Sequence, residues 1–212
     1  IDGIRTRRYH GLLVAATTPP AGRTMLVNGV EAWLETSGGA IALTAQRYAP
    51  DVVHPRATAE LGSFAIEPWP RWVWQLPGGG RVEHEIIMAK GSPSVALSWR
   101  LIGGHGSARL LVRPLLSGRD YHALHHENTS ALLDAQISRH GIRWQLYDAE
   151  TSIHAVSNGS YHHEPTWYRQ FLYEQERQRG FDCIEDLASP GIISFELSRS
   201  EAALVFTASD GL

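Results

Sequence analysis

Short apolar runs, rich in β-branched and aromatic residues, recur along the whole chain and are separated by Gly, Pro and Asn. Residues 95–101, for example, alternate apolar with small or polar side chains, which is the period of a half-buried strand. With about a dozen such runs, no alternation of strands with helices and no internal repeat, the pattern predicts a mainly β protein, a large antiparallel β-sandwich. The predicted strands cover residues 12–16, 25–27, 30–34, 40–45, 64–67, 71–76, 82–88, 95–101, 108–116, 142–147, 151–156, 192–197 and 202–208.

The dipeptide Asn28-Gly29 lies between two of these apolar runs. A type I′ turn needs positive φ at both central residues, and Asn-Gly is the pair that adopts it most readily. We therefore expect a tight β-hairpin centred on residues 28–29.

One region departs from the strand pattern and predicts a short helical insertion near residues 165–189. Residues 165–178 have helical composition, Pro165 suits a first helical position, and Gly180 suits the position after a helix end. The stretch from Asp182 to Glu185 matches a capping box that would open a second short helix, ended by Ser189-Pro190-Gly191.

The composition indicates a folded protein with an ordinary core. The chain has 212 residues, 43% of them hydrophobic and 19% charged, with a formal net charge of −3. Such a charge provides no basic field for nucleic acid or an anionic membrane, so we expect neither partner. A single cysteine excludes an internal disulfide framework, and with no secretory signal in view the cytoplasm is the expected compartment.

Five carboxylates lie close together in the predicted helical region and have two interpretations. Glycoside hydrolysis needs two carboxyl groups about 5–10 Å apart, which a helix hairpin could supply. The alternative is helix capping, i,i+4 pairing, a buried polar network or a domain interface, and the sequence favours this alternative. The five residues are Glu174, Glu176, Asp182, Glu185 and Asp186.

Histidine and tryptophan are the other candidate binding residues. Among eleven histidines, His122, His125 and His126 form an H-x-x-H-H run, which lacks the H-E-x-x-H order of zinc proteases, so we expect no metal site. The seven tryptophans can bind sugar rings through their faces, but for any single tryptophan a place in the core is the better interpretation. Trp69, between two prolines, is the best candidate for an exposed one.

Two polar strings lie at the ends of predicted strands, where binding sites on β-scaffolds are common. Residues 6–11 immediately precede one apolar strand, and residues 119–122 follow another. They are equally consistent with a functional site and with a structural network of ion pairs.

These strings and several others occur in one order that resembles the N-terminal domain of the bacterial and archaeal type of glycogen debranching enzyme. Each motif alone is weak, but the shared order and spacing are specific, and the resemblance extends over essentially the whole chain. The strings are residues 6–15 (Thr-Arg-Arg-Tyr-His-Gly-Leu-Leu-Val-Ala), 119–122 (Arg-Asp-Tyr-His), 127–128 (Glu-Asn), 167–168 (Trp-Tyr), 173–176 (Tyr-Glu-Gln-Glu), 179–182 (Arg-Gly-Phe-Asp), 185–187 (Glu-Asp-Leu) and 189–191 (Ser-Pro-Gly).

The resemblance implies a β-supersandwich of the galactose-mutarotase-like kind. It also implies a parent amylo-α-1,6-glucosidase that acts on branch points of glycogen or limit dextrin. In this family the supersandwich precedes an (α/α)6 barrel that carries the general acid and base. We therefore expect residues 1–212 to be a single domain cut from a longer enzyme, as the first residue, Ile1, also suggests. The fragment alone is then expected to be inactive and to hold no catalytic residue and no cofactor.

The expected partners are an α-glucan, glycogen or limit dextrin, and the catalytic barrel of the same polypeptide. The alternatives are a stand-alone mutarotase-like enzyme, with His122 as acid and Glu174 or Glu83 as base, and a purely structural docking domain. Twelve residues of the family strings are the candidates for a glycan-facing or barrel-facing surface: Arg7, Tyr9, His10, Arg119, Asp120, His122, Trp167, Arg169, Glu174, Arg179, Asp182 and Glu185.

Overall fold

The computed structural model describes residues 4–18, 21–56, 59–104, 106–147 and 151–208. In these ranges the chain forms two large antiparallel sheets, which confirms the predicted β-sandwich. The elements in chain order are β1 (Leu13–Thr18), β2 (Gly22–Thr36), β3 (Gly39–Ala42), β4 (Gln46–Tyr48), β5 (Val52–His54), β6 (Glu60–Ala65), β7 (Arg71–Gln75), β8 (Arg81–Met88), β9 (Ser94–Ile102), β10 (Ala108–Asp120), β11 (Ala135–Ser138), β12 (Gly141–Trp144), β13 (Ile153–Ser157), β14 (Ser160–Leu172), α1 (Glu174–Gln178), β15 (Ile184–Glu196) and β16 (Ala202–Thr207).

The strand order places the ends of the polar strings close to one another. The first sheet runs β1-β2-β10-β15-β14-β4-β5, with β3 paired to β2, and the second runs β11-β12-β13-β16-β9-β8-β7-β6. Strand β10 lies between β2 and β15, and β15 lies between β10 and β14. The end of β10 and the start of β15, which carry two of the family strings, are therefore neighbours at one end of the first sheet.

The core lies between the two sheets and follows the alternation seen in the sequence. Leu34 and Val112 from the first sheet are fully buried, as are Leu97, Trp99 and Phe206 from the second. Burying each side chain of this size contributes about 1.5–3 kcal/mol. Ser94–Ile102 forms the strand expected at residues 95–101, with its alternate positions Val95, Leu97 and Trp99 buried.

The hairpin predicted at Asn28-Gly29 is wrong, because β2 continues without a turn from Gly22 to Thr36. Gly29 pairs with Leu115 and Val27 with Leu116 of β10, so Asn28 is the additional residue of a β-bulge. This stretch is buried throughout, and pairing with the long strand β10 prevails over the local turn preference of Asn-Gly.

The helical insertion is much shorter than the composition predicted. Only Glu174–Gln178 is helical, whereas residues 165–172 belong to β14 and the proposed second helix is the start of β15. The two strands pair over most of their length and bury Phe171 and Leu172, a gain that the local helical preference of the sequence cannot match. Among the residues that the structure describes, no helix has the length and apolar character needed to cross a membrane.

A ladder of stacked rings crosses the inner face of the second sheet. Trp72, His84 and Trp99 occupy paired positions on β7, β8 and β9. The His84 ring lies 5.4 Å from that of Trp72 and 4.5 Å from that of Trp99, with interplanar angles of 25° and 11°. Desolvation lowers the pKa of His84 to about 4, although its hydrogen bond with the Ser98 carbonyl acts in the opposite direction.

This pKa predicts that the free energy of unfolding falls as the pH drops from about 6.5 towards 4. In that window the unfolded chain binds a proton at His84 that the folded domain excludes, so stability is lost by at most about 1.4 kcal/mol per pH unit. Urea unfolding at several pH values measures the slope. His84→Phe keeps a ring in the ladder and should flatten the slope in this window, and an unchanged slope would contradict the assignment.

Candidate functional site

Three segments that carry family strings meet at the end of the first sheet. Residues 6–11 cross the strand ends, residues 119–122 leave β10, and residues 173–185 contain α1 and enter β15. The backbone N–H of Gln175 donates to the carbonyl of Thr6 at 3.0 Å, and that of Tyr121 donates to the carbonyl of Arg23 at 3.0 Å. Main-chain hydrogen bonds thus join residues 173–185 to residues 6–11, and residues 119–122 to β2.

A buried ion pair between Arg119 and Glu185 lies beneath this surface. Both residues are almost fully excluded from solvent, and the guanidinium Nε donates to Glu185 Oε1. The Glu185 carboxylate also accepts from the backbone N–H of His125 at 3.0 Å, from the Asn28 amide at 3.3 Å and from the Tyr173 hydroxyl. Several donors around one carboxylate satisfy the geometric condition for keeping a charged group in the interior.

The Tyr173 hydroxyl acts only as a donor in this network. Burial raises its pKa above the ordinary tyrosine value, and the neighbouring Glu185 carboxylate raises it further. The proton therefore stays on Tyr173 at neutral pH and remains hydrogen-bonded to Glu185.

Arg119 also fixes the backbone of two strings. Its Nη2 donates to the carbonyl of Arg8 at 2.7 Å, and its Nη1 donates to the carbonyls of Asp120 and Tyr121 at 3.2 Å and 3.1 Å. A planar guanidinium with five donors can bridge three segments in this way, which lysine cannot do. Arg119 and Glu185 thus position the surface from below, and their own side chains are not exposed on it.

Arg7 and Arg8 connect the first string to the others. Arg8 donates to the carbonyls of His122 at 2.9 Å and Asp182 at 2.8 Å. The Arg7 Nε lies 3.6 Å from a carboxylate oxygen of Glu176, which is itself buried and accepts from the Arg8 backbone N–H at 3.3 Å. Helix α1 therefore holds Arg7 and Arg8 in place through Glu176.

Aromatic and guanidinium groups form the exposed part of this end. Tyr9 shares a hydrogen bond of 3.2 Å with His122 Nδ1, and the guanidinium groups of Arg8 and Arg179 lie 6.0 Å and 5.7 Å from the ring of Phe181. Phe181 is 55% exposed and Tyr9 38%, both high values for aromatic side chains. We call this surface the arginine–aromatic face and define it as Arg7, Arg8, Tyr9, His122, Arg179 and Phe181.

The remaining candidates lie around this face. Asp120 accepts from the backbone N–H of His122 at 2.8 Å and so fixes the turn after β10. His10 lies in the segment before β1; desolvation lowers its pKa, and the charges of Arg7 and Arg5 lower it further. Asp182 contributes its backbone carbonyl to Arg8, as described above.

Trp167, Arg169 and Glu174 lie at the flanks. Trp167 packs on the ring of His125 at 5.3 Å, and Arg169 forms a two-point ion pair with Glu127 on the surface. Glu174 pairs with Arg177 one turn along α1 and accepts from Gln178 at 2.8 Å.

Six residues of the network and of the arginine–aromatic face were absent from the predicted set: Arg8, Asn28, His125, Tyr173, Glu176 and Phe181. Tyr173, His125 and Glu176 lie within or beside the family strings, but nothing local distinguishes a buried Glu176 from a half-buried Glu174. The sequence analysis placed Asn28 in a hairpin turn and so did not consider it as a partner of Glu185. Its hydrogen bond to Glu185 depends on the β-bulge, which only the strand pairing reveals.

The carboxylates of this region take part in polar networks, as the sequence favoured. Glu176 and Glu185 are buried beside arginines, and Asp186 accepts from the backbone N–H groups of Glu127 and Gln170. Neither Glu174 nor Glu83 hydrogen-bonds to His122 in the described ranges, and Glu83 pairs with Arg100 at 2.6 Å on the second sheet. These ranges also contain no group of three or more His, Cys, Asp or Glu placed to hold a metal ion.

By its fold the domain is a two-sheet antiparallel β-sandwich, with a buried polar network at one end of the first sheet. The sequence matches the family model described as "Glycogen debranching enzyme N terminal" over residues 1–204, and the chain belongs to this family. No curated protein matches the sequence.

Among solved structures, a bacterial glucoamylase complexed with acarbose is similar to this chain, with 12% sequence identity and a TM-score of 0.48. The match covers 95% of this chain and 30% of the glucoamylase chain. The chain thus spans less than a third of the length of that protein.

Proposed function

We propose that this chain is the non-catalytic N-terminal domain of a glycogen debranching enzyme, as one supersandwich domain over residues 1–212. In this proposal the parent enzyme acts on α-1,6 branch points of glycogen or limit dextrin in the cytoplasm. The domain docks on the catalytic (α/α)6 barrel of the same polypeptide and supports α-glucan binding. Membership of the debranching-enzyme N-terminal family supports the parent activity.

The observation that carries the docking role is the arginine–aromatic face. Phe181 is 55% exposed between two guanidinium groups, and Ile184 beside it is 39% exposed. Aromatic side chains and arginines are the residues that most often dominate the energetics of protein interfaces. The buried pair of Arg119 and Glu185 holds the backbone of this face rigid, which reduces the entropy lost on docking.

The pairing of Glu174, Glu176 and Glu185 with arginines supports a non-catalytic role for these carboxylates. A glycosidase needs one protonated acid and one carboxylate that both reach the substrate. Here Glu176 and Glu185 are buried against arginines, and Glu174 pairs with Arg177. Bond cleavage is therefore assigned to the barrel.

Glucose release from limit dextrin tests the proposal. The 212-residue chain alone should release none, and adding it to the separately produced barrel should restore activity. Phe181→Ser should raise the concentration needed for half-restoration by about tenfold, which corresponds to about 1.4 kcal/mol of binding. Ile137→Ser is a matched control, because Ile137 is 66% exposed on β11 of the second sheet, and it should behave like the unchanged domain. Glucose release by the domain alone, or equal effects of the two substitutions, would overturn the proposal.

A further inference from the structure

A cleft of about 310 Å³ lies between the two sheets, next to the first described residues of the chain. Trp72, His84 and Trp99 of the ring ladder line one wall, and Arg5, His10 and Asn28 line the other. Its volume is at the lower end of the range of small-molecule sites, about 300–1,000 Å³, and so suits one sugar ring rather than a long chain.

The ring wall presents edges to the cleft. Trp72, His84 and Trp99 stack face to face along the sheet, so both faces of His84 and one face of each indole are covered by a neighbouring ring. The ring edges remain for a ligand. The indole N–H groups lie on these edges, and within the described residues neither Trp72 nor Trp99 donates its N–H to a partner. The wall therefore combines apolar C–H edges with free hydrogen-bond donors.

His84 adds an acceptor to the same wall. Its Nδ1 lies 2.9 Å from the Ser98 carbonyl, which can only accept, so Nδ1 carries the proton. The low pKa keeps the ring neutral, and Nε2 is then a bare acceptor. In the described part of the chain no group donates to this nitrogen.

The opposite wall carries polar atoms that also lack partners. Arg5 is only 8% exposed, and its guanidinium lies 5.2 Å from the centre of the Phe171 ring. Its Nε and Nη2 are nevertheless buried without any hydrogen bond in the described structure. Asn28 donates to Glu185, but its Oδ1 is likewise buried without a partner. Buried donors and acceptors left unpaired are costly, and such groups beside a cleft point to a missing ligand.

We propose that this cleft binds one glucose ring of an α-glucan. A hydroxyl group both donates and accepts, so a ring bearing several hydroxyls can pair with Arg5 and the indole N–H groups and also with His84 Nε2 and Asn28 Oδ1. An anion only accepts and would leave the two acceptors unpaired. The C–H groups of the sugar ring meet the apolar edges of the ladder. The inference rests on the α-glucan association proposed above.

Titration of the 212-residue chain with maltose, followed by calorimetry and tryptophan fluorescence, tests the inference. His84→Phe retains an aromatic ring and removes the acceptor, and Trp72→Phe retains a ring and removes a donor. Each should weaken maltose binding by about tenfold or more, as expected for loss of a hydrogen bond from a buried polar site. Circular dichroism and the melting temperature establish that each variant is folded.

His140→Phe is the matched control, because His140 is exposed in the hairpin between β11 and β12, far along the second sheet from β7 and β8. It should leave maltose binding unchanged. Gly29→Ala provides a test from the other wall, since a Cβ there would come within 2.3 Å of Arg5 Nη1 and displace the guanidinium. It too should weaken binding.

Three results would overturn the inference: no maltose binding, unchanged binding by both ladder variants, or binding of benzoate, an amphipathic anion, in preference to maltose. Loss of maltose binding in Phe181→Ser but not in His84→Phe would place the sugar at the arginine–aromatic face. That result would overturn the inference about the cleft and leave the proposed function standing. The glucose-release assay with the barrel does not depend on the cleft, so it tests the proposed function separately.

Discussion

Replacing Glu185 with alanine is expected to lower the free energy of unfolding by about 3–5 kcal/mol, the usual cost of removing one partner of a buried ion pair. Glu185 is fully buried, and its removal leaves the Arg119 guanidinium in the interior without a counter-charge. The donors of Asn28, Tyr173 and the His125 backbone lose their acceptor at the same time. Urea unfolding followed by tryptophan fluorescence measures the difference.

An exposed ion pair supplies the control for this experiment. Arg169 and Glu127 form a two-point pair with side chains 58% and 38% exposed, so Glu127→Ala should cost less than about 1 kcal/mol. Replacing both buried partners, as Arg119→Met with Glu185→Leu, should cost clearly less than the sum of the two single losses. If Glu185→Ala were as mild as Glu127→Ala, the network would not hold this end of the sheet together.

Trp144→Ala is expected to cost about 3–5 kcal/mol, because a large side chain with no exposed area leaves a cavity in the core. Its indole N–H donates to the Tyr161 hydroxyl at 3.3 Å, so the substitution also removes a partner from Tyr161. Trp144→Phe retains part of the volume and should cost less. The same unfolding measurement applies.

Trp69→Ala is the comparison for Trp144, because Trp69 is 38% exposed and should change stability far less. Similar losses for the two substitutions would mean that the core does not depend on Trp144. Trp69 lies between two prolines, and its partial exposure agrees with the exposure expected from the sequence.

Only the fold shows how the residues of the family strings contact one another. Arg119 and Glu185 are 66 residues apart, and the β10–β15 pairing brings them together. Tyr9 and His122 are 113 residues apart and meet because the first string crosses the ends of the strands. The candidate residues could be named from their order in the chain, but their contacts could not be derived from it.

Local sequence preference gave a wrong prediction in two places, and in both of them pairing between strands distant in the sequence prevailed. Asn28-Gly29 has the strongest hairpin signal of any dipeptide, yet eleven positions of β2 pair with β10 and leave no turn there. Residues 165–172 have helical composition, yet β14 pairs with β15 and buries Phe171. In each case several strand hydrogen bonds and buried side chains outweigh a preference of less than about 1 kcal/mol per residue.

The alternation of apolar and polar residues determined that this protein is a two-sheet sandwich, because period-two burial depends only on neighbours along the chain. The sequence likewise placed the polar strings 6–11 and 119–122 beside the ends of predicted strands. The tertiary structure decided which of these polar residues are buried, how Asn28 enters the network, and that Arg5 and the rings of the ladder line the same cleft. These features depend on strand register and sheet packing, which join residues far apart in the chain and leave no local trace in the sequence.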